Sequence, residues 1–171
     1  MKNEDNNIFL DPLTDIYTKV FFLEAGNKIL QLASRNKVPL SLCIVDVDNL
    51  QVINEKYSHG IGNKILESIT QTIQNNCRES DLIAYLGEGQ MGLLLYNISG
   101  INTQTMLDGL RKKVEYSTYT LNQEKVHVTV SIGACIMHGQ MNTKTLDAIY
   151  KQAYLAVNVA KENGKNRVSV Y

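Results

Sequence analysis

No sign of charge dominates this chain of 171 residues, in which 17 Lys and Arg stand against 17 Asp and Glu. Such a balance gives no broad field for holding nucleic acid or an anionic membrane, although it leaves room for a local basic pocket. No apolar run approaches bilayer length, and no signal-peptide pattern opens the chain, so a cytoplasmic setting without a membrane segment is expected. Cysteine is scarce. Cys43, Cys77 and Cys135 are isolated and odd in number, which fits buried thiols in a reducing compartment better than a disulfide framework or a metal cluster. His59, His127 and His138 do not converge on a metal site in sequence, and the nine tyrosines are too scattered to form a stacking platform. Internal repeats and low-complexity blocks are also missing.

The apolar share, 44%, is enough for a real core. Residues 1–8 read as a polar tail or linker and 9–171 as one domain. Apolar residues at helical spacing predict helices over 19–35, 61–77, 103–116 and 145–163, the last ended by Gly164 as a cap. The β-favouring run at 40–47 predicts a buried central strand. Strands are also expected at 118–121, 126–136 and 167–171, with a polar turn at 122–124. The order α-β-α-β-β-α-β-β-α-β predicts an α+β layer fold with a largely antiparallel sheet covered by helices.

The most informative stretch runs from Asp81 to Leu95. Two apolar runs flank Gly87-Glu88-Gly89-Gln90, which reads as a β-hairpin with a glycine-rich turn. Just upstream lie Arg78 and Asp81. An Arg fork can pair with guanine O6 and N7 or with phosphate, and a carboxylate can accept from guanine N1–H and N2–H. The same pair also suits a plain turn, with Asp81 capping it and Arg78 following a helix end. Asp46 and Asp48, at a strand end, suit either a cation site or solvated, helix-capping acids.

Several motifs, taken in order, resemble the GGDEF domain family, the diguanylate cyclases, from Asp11 to Val170. Asp11-Pro12-Leu13-Thr14-Asp15 resembles the family's opening Asp-x-Leu-Thr, and Asp46-Val47-Asp48 its metal-binding Asp-x-Asp. Asn54, Tyr57, His59-Gly60 and Gly62 follow at family spacing. Thr129-Val130-Ser131-Ile132-Gly133 matches the Ser-Ile-Gly strand, and Ala160-Lys161, Gly164 and Asn166-Arg167 match the closing segment. The resemblance implies a fold like the palm of nucleotidyl cyclases and polymerases.

In that family two GTP molecules, one on each protomer of a dimer, condense to cyclic di-GMP with the help of divalent cations. The resemblance assigns cation binding to Asp46 and the Val47 carbonyl, facing a carboxylate at the third position of the hairpin turn. Here that position is Gly89, and the fourth, also acidic in the family, is Gln90. Glu88 adds a carboxylate one position early, where a hairpin directs it elsewhere. Asn63 replaces an Asp that reads guanine, Gln51 replaces a Lys, and Lys165 stands where Arg is usual. The resemblance thus implies no useful cyclase activity and no required cofactor. Mg2+ enters only with residual nucleotide binding, for which Asn54, Asn63, Lys161 and Lys165 are the candidates.

Arg78 and Asp81 match the family's Arg-x-x-Asp product site, so cyclic di-GMP is the expected ligand. A second family Arg, from the following helix, aligns with Gly109, near Arg111, Lys112 and Lys113. The leading expectation is a degenerate GGDEF domain that acts as a cyclic di-GMP receptor through Arg78 and Asp81. A GTP-binding or weakly active cyclase-like domain using Asp46, Asp48 and Glu88 is the alternative, as is a ligand-free dimerisation domain. A homodimer or a regulatory partner is implied by either binding reading.

Overall fold

The structure, a computed structural model, describes residues 8–121, 123–139 and 145–171. The chain runs β1 (Tyr17–Thr18), α1 (Lys19–Asn36), β2 (Leu40–Val47), α2 (Leu50–Lys56), α3 (His59–Gln74), β3 (Leu82–Gly87) and β4 (Gln90–Tyr96). It continues through α4 (Gly100–Tyr116), β5 (Thr118–Leu121), β6 (Glu124–His127), β7 (Val130–Met137), α5 (Leu146–Glu162) and β8 (Val168–Val170). Six strands form one sheet in the order β1-β3-β4-β2-β7-β8, and β5-β6 form a separate hairpin.

The expected central strand is β2, buried at all eight residues. It pairs antiparallel with β4 on one side and β7 on the other. The sheet is antiparallel through its middle, and its outer pairs, β1 with β3 and β7 with β8, are parallel. Side chains of β2 alternate between two cores, as the pleat requires. Cys43, Val45 and Val47 join a core with residues of α3 and α4, among them Ile65, Ile69, Leu107 and Leu110. Leu40, Leu42 and Ile44 join the other, with Phe22 and Leu30 of α1 and Ile149 and Ala153 of α5.

Several boundaries differ from the sequence expectation for local reasons. α3 begins at His59 because the Ser58 hydroxyl accepts from Ile61 N–H. α4 begins at Gly100, three residues before the expected start, capped in the same way by Ser99 on Asn102 N–H. α5 is capped by Thr145. At its other end Asn163 is the cap residue, and Gly164 follows at φ +108°, where a left-handed turn favours glycine. α2, short and pinned between cleft and core, was not expected. The strand expected at 126–136 breaks at Val128 and Thr129 into β6 and β7. The 1–8 tail falls outside the described residues up to Asn7, as does Asn122 of the expected turn.

Candidate functional site

The hairpin forms as expected, with Gly87 paired to Gln90 across a two-residue turn. Glu88 and Gly89 both take positive φ, +53° and +81°, the geometry that matches the twist of the flanking strands. The tip lies over the end of β2, where Val47 N–H donates to Gly89 O at 3.1 Å. α2 and the segment after α5 close the other sides. The result is a cleft of about 840 Å³ lined by Asp46, Val47, Asn54, Gln90, Lys161 and Lys165, among others. The fold thus gathers Asp46, Val47, Asn54, Gln90, Lys161 and Lys165, all singled out in the sequence, with Gln51 and Glu88 beside them. Asn63 is not among the lining residues; it lies on the exposed face of α3.

Asp46 is buried, and both its oxygens are engaged. Lys161 Nζ lies 2.7 Å from Oδ1, and Gln90 Nε2 donates to Oδ2 at 2.6 Å. Asp48, also buried, is not a lining residue. Its carboxylate accepts from Thr129 Oγ1 and Ser131 Oγ, each at 2.7 Å, and from Asn166 N–H at 3.1 Å. It therefore ties β7 and the Lys165–Asn166 turn to β2. Neither acid is a solvated or helix-capping group, which corrects the plain reading of both. Lys165 and Asn166 carry positive φ, +62° and +47°, and Lys165 Nζ donates to Asn49 Oδ1.

Gly89 is buried against Leu50, whose Cδ2 would stand 2.7 Å from a Cβ built there. The space next to the third turn position thus holds a leucine methyl. Asn54 lines the cleft, while its Oδ1 is buried against Gly62 with no hydrogen-bond partner among the described residues. Gln51 is exposed and donates to Glu55. Hard divalent cations need several oxygen ligands, carboxylates above all. One carboxylate already filled by an ammonium and an amide, beside a backbone carbonyl, does not fit that need. Among the described residues no group of three or more His, Cys, Asp or Glu side chains could hold a metal ion.

Arg78 and Asp81 sit in the loop between α3 and β3. Their turn is closed twice: Asp81 N–H donates to Arg78 O at 3.0 Å, and Arg78 N–H donates to Asp81 Oδ2 at 2.9 Å. The turn-capping role of Asp81 is therefore real, and it places both residues on one tight turn. Both line a hollow of about 290 Å³ whose far wall is α4, at Asn102, Thr105 and Met106. Gly109 lies one turn beyond Thr105 with open space where a side chain would start. Arg111 is committed elsewhere, to Asp108, Glu115 and Asn166. Lys113 Nζ donates to Oδ1 of Asn76, a residue that lines the hollow.

The thiols behave as expected. None of the three is in a disulfide, and Cys43 and Cys135 are buried. Burial, with Asp81 nearby, pushes the Cys77 thiol up to about 12. Burial also raises Cys43 far above its ordinary value. No helix among the described residues is long and apolar enough to cross a membrane.

A family profile described as diguanylate cyclase, GGDEF domain, matches residues 8–167. The probable diguanylate cyclase DgcT of Escherichia coli K12 is 32% identical over 165 residues, covering 94% of this chain and 35% of DgcT. The chain thus spans about a third of the length of the curated relatives it matches first. Solved structures share the fold. The GGDEF domain of DgcB from Caulobacter crescentus, in complex with c-di-GMP, has a TM-score of 0.89 at 18% identity and 95% coverage of each chain. The diguanylate cyclase SiaD of Pseudomonas aeruginosa, in complex with its activator SiaC, has a TM-score of 0.88 at 23% identity, covering 95% of this chain and 62% of SiaD.

Proposed function

The chain belongs to the GGDEF family of diguanylate cyclase domains, and on that premise we propose that it is a catalytically silent member serving as a cyclic di-GMP receptor. The observation that carries the silence is at the hairpin tip. The one carboxylate left in the cation site, Asp46, is closed off by Lys161 and Gln90, and Gly89 offers no side chain opposite it. Without positioned cations nothing activates the attacking hydroxyl or neutralises the phosphates, and such losses cost orders of magnitude in rate.

The receptor reading rests on the Arg78–Asp81 turn. Its hydrogen bonds fix Arg78 and Asp81 on one turn, and both residues line the α4 hollow. That pairing suits guanine, which presents acceptors at O6 and N7 and donors at N1 and N2. The complex of the DgcB domain with c-di-GMP supports the ligand class. Binding would act on a neighbouring domain, a second copy or a regulatory partner in the cytoplasm, as an activator complex such as that of SiaD suggests.

Calorimetry tests this. Cyclic di-GMP should give saturable binding that Arg78→Ala abolishes, while GTP with magnesium should give no cyclic product. Brisk turnover of GTP would refute the silence; binding unaltered by Arg78→Ala would refute the site. Silence in both arms would leave a ligand-free interaction domain. A second reading, guanine nucleotide in the cleft, is favoured by Asn54, Lys161 and Lys165 lining it together, an amide that can pair with a base and ammonium groups that can meet phosphate.

A further inference from the structure

The donor set described above does not fit a divalent cation, yet the position beside Asp46 is not short of positive charge. Lys161 Nζ, about one-third exposed, lies 2.7 Å from Oδ1 of a carboxylate that is 5% exposed. Gln90 completes the arrangement. Because an ionised Asp46 only accepts, the Gln90 amide must present its NH2 end to it, leaving its oxygen for another group. The buried carboxylate is thereby paired and hydrogen-bonded at both oxygens, as a buried charge requires.

We propose that the Lys161 ammonium is the resident cation of this cleft, so that the cleft takes a guanine nucleotide without divalent metal and prefers one phosphate to three. This rests on the second reading above, guanine nucleotide in the cleft, and not on cyclic di-GMP at Arg78. The charge of the lining carries the phosphate preference. Asp46, Glu55 and Glu88 line the cleft against Lys161 and Lys165. Asp46 absorbs the charge of Lys161, which leaves Lys165 as the cation that can meet a phosphate. A single phosphate matches that one ammonium. The second and third phosphates of a triphosphate would add negative charge to a cleft that Glu55 and Glu88 also line, and like charges in a partly desolvated cleft repel strongly. Asn54 supplies the base contact in either case.

Two measurements on the intact chain decide it. Manganese titration followed by electron paramagnetic resonance reads the cation site directly. The unaltered protein should bind no Mn2+ in the cleft, and the Lys161→Met, Gln90→Glu double variant should gain a site that Asp46→Asn removes. Calorimetry with GMP and GTP, each in EDTA and in excess Mg2+, reads the nucleotide. GMP should bind equally in both buffers, and GTP at least about tenfold more weakly in both, a gap of about 1.4 kcal/mol. A stoichiometric Mn2+ site in the unaltered protein that Asp46→Asn removes would overturn the proposal, as would GTP binding that Mg2+ strengthens. Failure of both nucleotides to bind would overturn the nucleotide reading itself, while the manganese arm reports the closed cation site independently of it.

Discussion

Gly89 shows how much one side chain decides here. A carboxylate restored at that position must be carried by a residue at φ +81°, and its Cβ must displace the Leu50 methyl that now lies 2.7 Å away. Asp tolerates left-handed backbone better than most residues, so Gly89→Asp should cost about 1 kcal/mol of stability, read by urea denaturation. Gly89→Asp with Gln90→Glu should restore magnesium affinity, and more fully once Leu50→Ala clears the space; unchanged affinity in both variants would undo the cation-site assignment. The hairpin turn and the missing acids were legible from glycine spacing and residue identity. The pairing of Gln90 and Lys161 on Asp46 was not, because three elements distant in sequence bring them together. Cys77 gives a simpler test. With its thiol pushed up to about 12, it should alkylate slowly at neutral pH and faster on unfolding, since the thiolate is the nucleophile.

Among the elements, α5 packs closely on β7. A Cβ at Gly133 would stand 2.3 Å from both Ala153 O and Val157 N, atoms of helix backbone that cannot swing aside. Gly133→Ala should therefore cost about 3 kcal/mol and lower the urea midpoint. It should also disturb the cleft, since Lys161 rides on the same helix. The helix starts at Ser58 and Ser99 were readable in hindsight from a Ser at each cap position. Periodicity alone had placed these helices two or three residues late, because the first turn carries few core residues. Removing either hydroxyl should cost about 1 kcal/mol.

On α4 the Asp108, Arg111, Glu115 and Asn166 cluster adds a pH dependence. The Asn166 amide, then Arg111, holds Glu115 below its ordinary 4.5; Lys112, then Arg111, holds Asp108 below its ordinary 3.8. A carboxylate depressed in the folded state adds stability that is full above its ordinary value and lost as pH falls through the lowered one. Denaturation midpoints should drop as pH is taken below 4.5, and less steeply in Asp108→Asn, Glu115→Gln protein.

Across the molecule, β2 joins the two cores, and each half loses its backing without it. Ile44→Ala, fully buried between β2, α1 and α5, should cost about 2–5 kcal/mol, checked by chemical denaturation. The two candidate sites are built from different elements. The cleft is built on β2, the hairpin and α5, while the Arg78–Asp81 turn faces α4. α4 also holds Asn166, which donates to Asp48 and neighbours the cleft residue Lys165, so one helix touches the surroundings of both.

Residue order alone was sufficient for the layer class, the central strand, the hairpin and the absence of a carboxylate at Gly89, because each depends on neighbours in the chain or on which atoms exist. It did not reveal that Asp46 is sealed by Lys161 and Gln90, that Asp48 braces three segments, or that Leu50 fills the space beside the turn. Those are contacts between positions some 40 to 118 residues apart, and no local pattern encodes them until packing brings the segments within reach.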